Sequence, residues 1–252
     1  ILITLINITF SQVPLTIGTT TYDYQTYGSS NNHLIAYPDG KVSASWMGSS
    51  TFTPAFNNLG TYYNHFNGVS WGSFPTARLE TAKTYSTELL TVMSHEVVVA
   101  DDVSRVLLFK NTTIGGTSWT ETGGSDVIDG WYPMAYCPEG TDDIYVVTMK
   151  PNQEDLLFSR SDDGGETWAI LESALPNTTE AWGCDLVLPD CYQVVVHGND
   201  VYVLYGSLIS DLILMHSGNK GLTWDASPTV LVNFPIDNYV AGAGETTDWD
   251  GD

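Results

Sequence analysis

Ser161-Asp162-Asp163-Gly164-Gly165-Glu166-Thr167-Trp168 lies between two apolar runs, Leu156-Leu157-Phe158 and Ala169-Ile170-Leu171. Asp-Gly-Gly joining two strand-like runs predicts a β-hairpin, because a tight turn needs positive φ and glycine adopts it without a steric penalty. Thr167 and Trp168 then open the next strand, where a β-branched residue and a large ring fit a pleated, half-buried surface.

The pattern recurs, and the recurrence sets the fold. Ser217-Gly218-Asn219-Lys220-Gly221-Leu222-Thr223-Trp224 keeps the serine, glycine, threonine and tryptophan and replaces the acid by Asn219. Thr112 to Trp119 and Asn64 to Trp71 are worn copies that retain a glycine, a hydroxyl and the tryptophan. Trp71, Trp119, Trp168 and Trp224 are spaced by 48, 49 and 56 residues. Earlier in each unit comes another hairpin. Leu34 to Tyr37 turns at Asp39-Gly40 into Val42 to Trp46, and Met134 to Tyr136 turns at Glu139-Gly140 into Ile144 to Thr148. Val194 to Val196 turns at Gly198-Asn199-Asp200 into Val201 to Tyr205, and in the shorter second unit Glu96 to Ala100 turns at Asp101-Asp102 into Val106 to Phe109. Each unit is therefore about four strands. One such sheet cannot bury both faces alone, and radial stacking of several solves the problem with only short edges left over. The expectation is an all-β propeller; a two-sheet sandwich would not require the repeat.

Ser-x-Asp-x-Gly-x-Thr-Trp resembles the Asp-box, or BNR repeat, of the sialidase-like (neuraminidase-like) superfamily, and Ser161 to Trp168 fits it at every defined position. The resemblance covers roughly Thr19 to Pro235, and the overall texture, with its signal-like start and the stretch Thr20-Thr21-Tyr22-Asp23-Tyr24-Gln25-Thr26, also resembles secreted BNR-repeat proteins of Bacteroidetes-type bacteria. That resemblance implies six four-stranded blades. Four units are visible, about 19–75, 76–124, 125–176 and 177–231, with the start of a fifth over 232–252, so the reading is a propeller truncated at four to five blades, with a closed four-bladed ring as the alternative. The resemblance also implies a structural role for the boxes at the outer hairpins: Ser161, Asp163, Gly165, Thr167 and Trp168, with Ser217, Asn219, Gly221, Thr223 and Trp224.

Composition narrows the function classes. Eight Lys and Arg against 30 Asp and Glu give a net charge of −22, which repels nucleic-acid phosphates and anionic lipid. Ile1 to Gln12 reads as the apolar core and polar end of a signal peptide without its basic start, too short to span a bilayer; a first β-strand is the alternative. A secreted or cell-surface protein with an incomplete reading frame is expected. Cys184 and Cys191 then become candidates to pair, leaving Cys137 free, and no C-x-x-C spacing suggests zinc. His95-Glu96 lacks the second histidine of a zincin motif.

Ligands of propellers meet the axial mouth, so the stretches leading into each unit carry the candidate site. Arg78 and Glu80 share one side of a strand by period two, placing a guanidinium beside a carboxylate for a sugar or carboxylate ligand, or for a local ion pair. They are the candidate catalytic and ligand-binding pair, with Trp131, Tyr132 and Trp182 as aromatic platforms for a glycan. A sialidase resemblance implies three arginines on the substrate, yet the chain has only Arg78, Arg105 and Arg160, and the catalytic set is not carried over. Asp248, Asp250 and Asp252 alternate around Gly251 as the oxygen ligands of calcium loops do, or form an acidic surface loop. The leading expectation is a non-catalytic propeller binding a glycan or an extracellular protein. The alternatives are a sialidase-type exo-glycosidase completed by further blades, and a structural module of a larger exported protein.

Overall fold

The computed structural model describes residues 14–26, 31–52, 55–93, 95–122, 128–149, 156–176, 191–206 and 212–232. Their strands form four antiparallel sheets, each a meander in chain order. The first sheet holds β1 (Leu34–Ala36), β2 (Val42–Gly48) and β3 (Gly60–Phe66), with Phe66 bridging to Trp71. The second holds β4 (Glu88–Val92), β5 (His95–Asp101), β6 (Val106–Asn111) and β7 (Thr120–Thr122). The third holds β8 (Trp131–Tyr136), β9 (Ile144–Met149), β10 (Leu156–Ser161) and β11 (Ile170–Ala174). The fourth holds β12 (Tyr192–His197), β13 (Asp200–Tyr205), β14 (Leu212–Ser217) and β15 (Thr229–Val232). The paired apolar runs of the sequence are the central strands, joined by the glycine turns. Gly40, Gly140 and Gly198 all have positive φ, the conformation that β-branched neighbours would resist.

The opening strands converge: β1 touches β4, β4 touches β8, and β8 touches β12. The sheets therefore stand around a common centre as propeller blades do, with their first strands innermost. Apolar side chains fill the wedges between them. Val98, Leu107 and Phe109 meet Tyr63 and Leu79 between the first and second blades. Val97, Val99 and Leu108 meet Ala135, Ile144 and Val146 between the second and third. Tyr145, Val147 and Phe158 meet Val194, Val203 and Met215 between the third and fourth. Strands β9 and β10 are buried along their whole length because each has a neighbouring blade on both faces. Strands β12 and β13 instead alternate buried and more exposed positions, the signature of a sheet packed on one face.

The glycine-tryptophan turns tie these wedges together. Ser161 Oγ accepts from Gly165 N (2.8 Å) and donates to Asp163 Oδ1 (2.8 Å). Asp163 Oδ1 accepts from Thr167 N (2.9 Å) and its Oδ2 from Thr167 Oγ1 (2.7 Å). The turn from Ser217 repeats this wiring, with Gly221 N donating to Ser217 Oγ and Thr223 N donating to Asn219 Oδ1, both at 2.9 Å. One bond reverses: Asn219 Nδ2 donates to Thr223 Oγ1 (2.8 Å), because an amide supplies a proton where a carboxylate only accepts. Each turn also reaches the blade before it. A Cβ on Gly165 would stand 2.6 Å from Leu108, and one on Gly221 would overlap the ring of Phe158. Trp119, Trp168 and Trp224 complete the three wedges in turn, and Trp224 meets Phe158 edge to face at 5.2 Å.

Candidate functional site

The innermost strands enclose a cavity of about 940 Å³ that all four sheets line. Asn32 and Tyr37 come from the first blade, Glu88 and Thr91 from the second, Tyr136 and Cys137 from the third, and Gln193 from the fourth. Ile35, Leu90 and Val195 add apolar walls. A mostly apolar concavity with a few convergent polar groups is the usual form of a small-ligand site.

Glu88 is the chemically distinctive member. It begins β4, is 2% exposed, and sits where three blades meet. Its Oε1 accepts from Asn32 N at 3.4 Å and its Oε2 from Ala135 N at 2.5 Å. Burial raises its pKa from 4.5 to about 8, outweighing the two amide bonds that favour the ionised form. At neutral pH the neutral acid is therefore the dominant form, which keeps a proton available beside the axis. Also on the lining, burial pushes the Cys137 thiol up to about 12, which leaves it unreactive as a nucleophile.

A second polar cluster joins the first two blades. Glu96, fully buried, accepts from Tyr37 Oη (2.8 Å) on one oxygen, and from Tyr63 Oη (2.8 Å) and Gly115 N (3.0 Å) on the other. Ser43 Oγ lies 3.1 Å from Tyr63 Oη and 2.9 Å from His65 Nδ1.

Arg78 and Glu80 do not line the axial cavity. Arg78 spends its guanidinium on backbone carbonyls: Nε donates to Glu80 O (3.0 Å), Nη1 to Asn57 O (3.1 Å) and Leu59 O (3.3 Å), and Nη2 to Thr81 O (2.8 Å). Glu80 is 4% exposed and accepts from Thr61 N and from Thr84 Oγ1 (3.1 Å), while burial raises its pKa. The two side chains thus brace one loop rather than present a charge pair to the axis. Trp131 and Tyr132 stand at the start of β8, edge to face at 6.4 Å, where the ladder shifts register and Tyr132 takes φ +52. Trp131 Nε1 donates to Val103 O, and Tyr192 Oη donates to Tyr132 O, so this aromatic pair links second, third and fourth blades. Trp182, Cys184 and the calcium candidates Asp248, Asp250 and Asp252 lie outside the described residues. Among the described residues no cluster of three His, Cys, Asp or Glu side chains has metal-binding geometry, and no helix is long and apolar enough to cross a membrane.

Glu88 was the residue that sequence reasoning missed. Its signal is an acid immediately before the apolar pair Leu89-Leu90, at the start of a buried strand, but its partners are 56 and 47 residues away.

No protein-family model matches the chain, and no curated protein matches its sequence. Similarity appears only among solved structures. A polysaccharide lyase of family 25, an ulvan lyase bound to -[GlcA(1-4)Rha3S]-, shares 12% identity at a TM-score of 0.50, covering 82% of this chain and 59% of that one. A family 117 glycoside hydrolase of the marine bacterium Zobellia galactanivorans shares 10% identity at a TM-score of 0.49, covering 86% and 74%. An exo-β-1,3-galactanase of Phanerochaete chrysosporium shares 11% identity at 0.47, covering 79% of this chain. The chain spans 50% of the length of that galactanase. The sialidase-like assignment is corrected: the neighbour at a TM-score of 0.50 is a polysaccharide lyase of another family, and no sequence family supports the sialidase superfamily. The physical reason lies in the turn itself. Its serine, acid and glycine bond to their own backbone and pack on the preceding blade, so it reports how blades are fastened rather than what the axis binds. The comparisons and the sheet topology together establish an all-β fold of antiparallel, blade-like sheets, one of three strands and three of four among the described residues.

Proposed function

We propose that this chain is a glycan-active β-propeller of the glycoside hydrolase kind, taking its saccharide in the axial cavity. The observation that carries the reading is Glu88, a carboxyl facing a cavity lined by all four sheets and held neutral at physiological pH by burial. Glycosidic cleavage needs a proton donor for the leaving oxygen, and a carboxyl with a raised pKa is the group suited to it. The apolar walls and the side chains of Asn32, Tyr37 and Gln193 give a sugar both a dry surface and hydrogen-bond partners. The blade-like architecture shared with carbohydrate-acting proteins adds support. An extracellular location, expected from the apolar run at Ile1 to Phe10, forms part of the proposal.

Hydrolysis also needs a second carboxylate at fixed separation, and both Glu88 oxygens are engaged by backbone amides. Those bonds favour a second reading, a glycan-binding module in which Glu88 clamps three blades and no bond is broken.

Release of reducing ends from neutral polysaccharides (galactans, xylans) measured for the wild-type chain and Glu88→Gln separates the two. Turnover that falls at least about a hundredfold in Glu88→Gln, with the fold and saccharide affinity kept, supports hydrolysis. An axial share of saccharide binding that disappears in Ala36→Trp, which fills the cavity, with no turnover in the wild type, supports the binding module. An absence of both turnover and affinity removes the axial reading altogether.

A further inference from the structure

We propose that the cleft between the first and second blades is a second saccharide site, specific for neutral sugars and separate from the axial cavity. The cleft encloses about 810 Å³ and is lined by Tyr63, His65 and Asn67 on one side and by Thr117, Ser118 and Trp119 on the other. It stands independently of the axial assignment, since the two cavities share no lining residue.

The hydrogen-bond chain at its floor fixes what the cleft presents. Tyr63 has one proton and gives it to Glu96. Its oxygen can then only accept at the next contact, so Ser43 Oγ–H donates to Tyr63. Ser43, its own proton spent, must accept from His65, which places the imidazole proton on Nδ1. His65 Nε2 is left as a lone-pair acceptor with no partner among the described residues, and desolvation lowers the pKa of the ring, favouring this neutral tautomer. Across the cleft Trp119 is held edge-on to Tyr63 at 5.1 Å, its indole N–H buried behind the ring without an acceptor among the described residues. A fixed acceptor, an aromatic surface and several hydroxyls make a match for a sugar ring, whose hydroxyls donate and accept and whose C–H faces pack on indole.

The electrostatics choose among sugars. Arg78 is the one cationic side chain on the described lining, and four of its five N–H donors are engaged by carbonyl oxygens, which leaves no bidentate fork to hold a uronate or sulfate. The chain's charge of −22 adds a general penalty against anionic saccharides. A neutral oligosaccharide is the ligand that fits.

Isothermal titration with xylotriose and β-1,3-galactotriose, with a trigalacturonate as acidic control, tests the assignment on the whole chain. At least one neutral trisaccharide should bind, the trigalacturonate should not, and His65→Ala and Trp119→Ala should each weaken binding about tenfold. Ala36→Trp, confined to the axis, should leave that binding in place. Because Trp119 also packs on the core, the wild-type indole N–H resonance of Trp119 provides a variant-free readout and should shift on titration. Binding that ignores both cleft variants, a preference for the acidic sugar, a Trp119 resonance that does not move, or the absence of binding by either neutral sugar would each overturn the site. Loss of binding in Ala36→Trp alone would assign the sugar to the axis and not to the cleft.

Discussion

Glu88 places an ionisable group at the contact of three blades, and its proton therefore becomes part of the stability of the whole. Its pKa is raised from 4.5 to about 8 by burial. Below pH 4.5 the carboxyl is neutral whether the chain is folded or not. As pH rises from 4.5 towards 8 the unfolded chain gains by ionising and the folded one does not, so stability falls across that window and then levels off. Burial also raises Glu80 and Asp101, which act in the same direction. Thermal melting between pH 5 and 9 should show the decline in the wild-type chain, on the order of a few kcal/mol in all, and a clearly flatter profile in Glu88→Gln. Equal slopes for the two proteins would remove Glu88 as the cause. Arg78 shows the opposite limit on what a single residue reveals. Period two predicts that it shares a strand face with Glu80, but both residues lie in a loop and the guanidinium bonds the Glu80 carbonyl rather than the carboxylate. Which of two nearby acceptors a long side chain chooses depends on loop geometry that spacing does not encode.

The turns are where sequence and element correspond most closely. Asp163 and Asn219 perform the same closure with opposite polarity in one bond. Asp163→Asn should therefore change the free energy of urea unfolding by less than about 0.5 kcal/mol, whereas Asp163→Ala, which strips the bonds to Thr167, should cost about 1–2 kcal/mol. Similar losses in both variants would show that charge, rather than the turn bonds, matters there. The hairpins around Gly40, Gly140 and Gly198 were legible for the same reason, since glycine at positive φ advertises a turn. The hairpin between β4 and β5 was not legible. There Met93 takes φ +47 at the position a glycine would otherwise mark, so the second blade's innermost strand went unread and Glu88 with it. The bonds from Glu88 to Asn32 and Ala135 link separate blades, and only the closing of the sheets around an axis brings those segments together.

At the scale of the molecule, 30 acidic residues face 8 basic ones, and several of the ion pairs, such as Lys41 with Asp39 and Arg105 with Glu121, are solvent-exposed and weak. Self-repulsion among the acids outweighs these pairs, so raising sodium chloride from about 0.01 to 0.15 M should lift the melting temperature by a few degrees, as the screening length shrinks from about 30 to 8 Å. A melting temperature that falls with salt would point to the ion pairs instead. The packing of turn glycines has a directional consequence. Phe158 belongs to the third blade, yet it is roofed by Gly221 and Trp224 of the fourth. Leu108 of the second blade is roofed in the same way by Gly165 of the third. The blades overlap like tiles, each weatherproofing the one laid before it. Loosening a blade would thus expose its predecessor's ridge before its own, and damage would travel backwards along the chain.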